Sequence, residues 1–192
     1  VLPAGTNALV FGFASQAGLE VALWLLCRLG GVSLRLVGIA CIGTLVWNFG
    51  CAVGFLEILC GNSTGFEGLE MPRNAAGVLF AGYTLIALSA LKTTRDRSTA
   101  TLAVPQWFLI GALFAFPWLY SGAVSLLMCL PVRGMVQASV AAWFNAGFRH
   151  LWLGGIATAI LYFFIPAVSG RAIASESLAR FGFWTIFVIG AW

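Results

Sequence analysis

An imidazole and a guanidinium sit side by side, as His150 and Arg149, inside the longest apolar run of this 192-residue chain, Gly134 to Pro166. His150 is the single histidine. A neutral imidazole is a common ligand for heme iron and for metals, which makes His150 a candidate cofactor-binding residue. A low-spin heme takes two axial groups, so any such site needs further ligands from beyond this sequence. Gln16 and Glu20 are the other polar candidates within apolar stretches, and their spacing of four puts them on one helix face. Glu20 reads either as a proton-handling or substrate-facing carboxylate, or as a hydrogen-bonded group that locks helices together.

Soluble chemistries find no support. The sequence lacks GxGxxG before a helix, GxxxxGK[ST] and HExxH. Cys27, Cys41, Cys51, Cys60 and Cys129 form no CxxC pair and have no histidine at zinc-finger spacing. They read as buried membrane thiols, and no metal site is expected.

The elements that must position these groups are membrane spans. The chain is 61% hydrophobic and 8% charged, with a mean hydropathy of +0.99, whereas soluble domains carry about 25% charged residues. Apolar runs this long, without alternating dyads, are helices rather than barrel strands. The expected fold is all-α, a polytopic transmembrane helix bundle of about six spans near 6–26, 37–59, 75–91, 107–130, 136–165 and 178–192. The 33 residues from Gly134 to Pro166 would reach roughly 50 Å as a helix, beyond a hydrocarbon core of roughly 30 Å. That span must tilt or start outside the lipid. Arg149 and His150 must then face other helices, water or headgroups.

Gly50 and Gly54, in GCAVG, have the small-xxx-small spacing of close helix packing. Arg28, Arg35, Lys92, Arg95, Arg97, Arg171 and Arg180 fall in alternate loops, and the opposite loops hold Arg73 and Arg133 with Glu67 and Glu70. The positive-inside rule then puts residue 1 on the outer face. The net charge of +4 sets orientation, and no nucleic-acid partner is expected. With no initiator Met and an end at Trp192 inside an apolar run, the chain reads as a single transmembrane domain and part of a longer protein.

Three stretches carry a resemblance. PAGTNALVFGF resembles the opening of the second helix of the C-family (cytochrome-cbb) heme-copper oxidase catalytic subunit. VQASVAAWFNAGF and LYFFIPAVSGR resemble its sixth helix, and FGFWTIFVIGAW its seventh. The resemblance covers nearly the whole chain and implies helices two through seven of a subunit of about twelve. It also implies heme and copper, other subunits of a respiratory complex as partners, and a bacterial inner membrane.

At three positions this chain departs from that family. The histidine that would ligate the low-spin heme falls on Gly5, the copper-ligating histidine on Ala146, and the redox-active tyrosine on Gly190. Glycine and alanine have no donor to offer. His150 lies one helical turn beyond Ala146 on the same face. Three readings result: a non-catalytic structural or assembly subunit, an active divergent oxygen or nitric oxide reductase with ligands elsewhere, and a transporter lined by Glu20, Gln16 and Arg149.

Overall fold

A computed structural model describes residues 2–130 and 132–190. Over that range the chain is helical with no strand, because a chain in hydrocarbon must satisfy every backbone polar group internally. The helices are α1 (Leu2–Gly30), α2 (Val37–Leu59), α3 (Arg73–Arg95), α4 (Val104–Cys129) and α5 (Met135–Ser169), each long and apolar enough to cross a membrane. A sixth, α6 (Glu176–Trp184), runs into a π-helical turn at Thr185–Ile189. The last two residues of the expected 178–192 span lie outside the described residues.

Helices α1, α3 and α5 run several residues past the apolar stretches that mark them in the sequence. Hydropathy marks the lipid-matched part of a helix, whereas backbone hydrogen bonding continues through Arg28, Arg73 and Arg95 until a turn stops it. Gly31 and Gly170, with φ of 64° and 66°, end α1 and α5 in the left-handed conformation that glycine adopts without steric cost. Pro72 stands at the N-cap of α3. At 35 residues, α5 spans roughly 52 Å.

Glycines set the tightest contact, between α2 and α3. A Cβ added at Gly50 would lie 3.2 Å from Leu79, and one at Gly54 3.2 Å from the Ala75 Cβ, so the GCAVG spacing does mark a packing stripe. Closer still, a Cβ at Gly82 would stand 2.7 Å from the backbone nitrogen of Trp47.

Aromatic rings fill the centre. Phe116 stacks on Tyr83 with centroids 4.0 Å apart and on Tyr120 at 5.0 Å. Trp152 meets Phe116 and Phe148, both at 4.9 Å. The indole N–H of Trp47 donates to the Phe11 carbonyl at 3.0 Å, and the Tyr83 hydroxyl to the Leu113 carbonyl at 2.9 Å. Near the middle of α4, Tyr120 is buried. Trp118 is 43% exposed, because its ring lies edge-on to Trp143 at the bundle's rim rather than inside it.

The basic loops share one end. Asp96, at the C-cap of α3, meets Lys92 at 2.9 Å and Arg35 at 3.4 Å. The Ser98 N–H donates to the Gly30 carbonyl. The Lys92 hydrogen bond, helped by the charges of Lys92, Arg35 and Arg95, holds the Asp96 carboxyl below its ordinary value. A lowered folded-state pKa gives a contribution complete above the unfolded value of about 3.9 and lost as pH falls through the lower folded value. Asp96→Asn is therefore expected to lower the thermal midpoint slightly at pH 7. By pH 2.5 the two proteins should converge, and an equal gap at both pH values would refute the assignment.

Candidate functional site

His150 and Arg149 lie in a π-helical turn of α5, Phe148–Leu153, and both are exposed. With Glu67, Asn145 and Ala146 they line an open groove of about 440 Å³. Ala146 and His150 do share a face. The turn around Gly68 lays the α2–α3 loop against α5, where a Cβ on Gly68 would fall 3.1 Å from the Asn145 Oδ1. This brings Glu67 to Arg149, whose Nη2 donates to the Glu67 Oε1 at 3.2 Å. Both partners are more than half exposed, a setting in which such pairs contribute under about 1 kcal/mol. Arg149 thus meets an acid of the α2–α3 loop, and Glu20 stays separate from both.

The positions where the resemblance implies ligands can be tested against the backbone. Gly5 is exposed, and nothing stands within 4 Å of a Cβ built there. Ala146 presents a methyl to the groove. At Gly190 a Cβ would fall 2.5 Å from the Ile186 carbonyl oxygen, so a side chain there would require the last turn to shift. Among the described residues no three His, Cys, Asp or Glu side chains converge to hold a metal ion. Between α1 and α5, Phe11 and Phe148 are in ring contact at 5.3 Å, which closes the gap between the two helices at that level. The residues present do not fit heme or copper at these positions.

A second polar locus lies on α1 and α2. Gln16 is the midpoint of Leu2–Gly30 and Asn48 that of Val37–Leu59, and the Gln16 Nε2 donates to the Asn48 Oδ1 at 3.2 Å. Thr44 and Asn48 each bond back to a carbonyl one turn earlier in α2. Glu20 is exposed one turn along from Gln16 and has no hydrogen bond or ion pair among the described residues. Gln16, Glu20 and Thr44 border a niche of about 20 Å³, enough for one water. A charged side chain at the centre of a membrane helix costs about 2.5–3.5 kcal/mol on insertion scales.

Sequence reasoning missed two polar partners. Asn48 was legible as an amide at the middle of an apolar span, the counterpart of Gln16. Glu70 reads from sequence as a loop acid, yet it is 9% exposed and accepts a hydrogen bond from the Asn7 Nδ2 at 2.8 Å. Nothing in its local pattern signals this, because the burial comes from α1 lying against the loop.

No family model matches the chain. It is 23% identical over 204 aligned positions to cytochrome c oxidase subunit 1 of Rhodobacter capsulatus, an alignment that takes in 99% of this chain and 37% of that protein. This supports a heme-copper oxidase-like relation. The chain spans little more than a third of the relative's length. Five membrane-length helices together with this similarity describe an integral membrane protein of oxidase-like type.

Proposed function

We infer that the chain is a non-catalytic structural subunit of a respiratory membrane complex, built on the C-family oxidase scaffold as one transmembrane domain of a longer protein. It would sit in a bacterial inner membrane with Leu2 toward the outer side. The observation that carries this reading is the state of the three implied ligand positions. Gly5, Ala146 and Gly190 offer no donor, while ring contacts between α1, α4 and α5 close the core. A bundle whose core is closed by rings is suited to hold neighbours in place rather than to turn over oxygen.

The exposure of His150 favours one competing reading, in which a ligand set outside this chain pairs with that imidazole. The full-length protein purified from its own membrane is expected to show no stoichiometric Soret band. A stoichiometric band that disappears in His150→Ala would overturn the structural reading and establish a heme-ligating role for this chain.

A further inference from the structure

We propose that the groove along the last third of α5 seats one acyl chain of an anionic phospholipid, whose phosphate is held by Arg171 at the end of the bundle that carries the basic loops. The proposal rests on the chain being an integral membrane protein, and not on whether it binds heme. The groove holds about 540 Å³ and is lined from α5 by Leu161, Tyr162, Ile165 and Pro166 and from the segment after that helix by Arg171 and Ile173. From Thr158 to Ser169 it follows α5 for roughly 16 Å at about 1.5 Å per residue. One leaflet is about as deep, half of a hydrocarbon core of about 30 Å. Tyr162 stacks on Phe108, near the start of α4, at 5.5 Å, and Phe163 meets Trp24, near the end of α1, at 5.6 Å. The groove therefore lies at the end where Arg28, Arg35, Lys92, Arg95 and Arg97 stand.

Charge and width together select the occupant. The Arg171 guanidinium and the Tyr162 hydroxyl line an otherwise apolar groove and have no hydrogen bond or ion pair among the described residues. The nearby acids are engaged already, Asp96 with Lys92 and Arg35, and Glu176 with Arg180 at 2.9 Å. Basic pockets at this depth recognise the phosphates of anionic lipids. More polypeptide does not take the lipid's place. Backbone in hydrocarbon has to be helical, and a helix about 10 Å across fills roughly 1,300 Å³ over that length, so a further helix of this or any other chain can lie over the groove but not in it. Further loops of this chain at that end would bring more cations under the positive-inside rule, which would repel Arg171 rather than neutralise it. A hydrocarbon tail fits the apolar length, and a phosphate answers the guanidinium.

The test uses the full-length protein in phosphatidylcholine vesicles doped with phosphatidylglycerol that carries a diazirine midway along one acyl chain, with labelled residues read by peptide mass spectrometry after irradiation. Label is expected on α5 between Leu161 and Ile165, and the same diazirine on phosphatidylcholine should mark those residues about fivefold less, the discrimination expected of one Arg near the surface. Arg171→Gln should bring the phosphatidylglycerol signal down to the phosphatidylcholine level, and Arg171→Lys should keep most of it. Ile165→Trp, which fills the groove at a position 60% exposed, should remove the label with either headgroup and leave Leu45 of α2, 69% exposed, marked as before. Equal labelling by the two headgroups, label spread evenly over α5 and Leu45, or an unchanged signal in Arg171→Gln would overturn the proposal and leave an annular lipid only. Absence of label on α5 with Leu45 still marked would overturn it as well, by showing that protein covers the groove. Should Arg171→Gln fail to fold, as read by its thermal midpoint, the headgroup comparison on the unaltered chain still decides.

Discussion

Gly82→Leu is expected to abolish the folded bundle, and Gly82→Ala to destabilise it by about 1–3 kcal/mol, the usual cost of overpacking. The reason is what a side chain at position 82 would strike. A Cβ there lies 2.7 Å from the Trp47 nitrogen, 2.9 Å from the Gly43 carbonyl oxygen and 3.0 Å from the Trp47 Cα. All three are backbone atoms of α2, so no rotamer change can make room, and the helices must move apart. Helix association in lipid rests on close packing rather than on the hydrophobic effect, so separation forfeits the attraction itself. Gly77, in the same helix, supplies the control, since nothing lies within 4 Å of a Cβ there. Gly77→Ala should stabilise by up to about 1 kcal/mol through helix propensity. Unfolding of the three variants in a detergent titration gives the comparison, and equal midpoints for Gly82→Ala and Gly77→Ala would remove the argument.

That contact also shows how far the sequence can be read. The spans were legible because lipid imposes a length and a composition on them, and the packing stripe was legible at Gly50 and Gly54. Gly43 continues that stripe seven residues earlier, and so could have been found. Gly82 could not, because its role depends on which face α3 turns toward α2. The same limit governs the candidate site. His150, Arg149, Gln16 and Glu20 stood out as polar groups in apolar runs, but their partners Glu67 and Asn48 come from other elements. The π-helical turns at Ala8–Ala14 and Phe148–Leu153 are likewise silent in hydropathy. They each insert a wider turn near the Phe11–Phe148 contact, and π turns tend to occur where a helix must re-aim its side chains.

Phe116→Ala is expected to have the largest effect of any core truncation, about 2–3 kcal/mol. Its ring is fully buried and touches those of Trp47, Tyr83, Tyr120, Phe148 and Trp152, at 4.0 to 6.2 Å between centroids. It therefore joins four of the five long helices. In lipid the transfer component of a truncation shrinks, since an unpacked Phe still lies in hydrocarbon. What remains is the cavity, and a void on the order of 100 Å³ at about 24 cal/mol per Å³ gives about 2.4 kcal/mol. The Tyr120 hydroxyl, buried without a hydrogen-bond partner among the described residues, and the Trp152 Nε1 belong to rings beside that void, so water entering it would find donors and an acceptor. The thermal midpoint should fall by roughly 4–12 °C, taking about 2–4 °C per kcal/mol for a chain of this size. Tyr120→Phe, which removes one of the unpartnered atoms and leaves the ring stack at 5.0 Å on Phe116, should instead be neutral or stabilising by about 1 kcal/mol. If Tyr120→Phe proved as damaging as Phe116→Ala, the hydroxyl would have to hold the bundle through a hydrogen bond, and ring packing would no longer explain why α2, α3, α4 and α5 converge on this point.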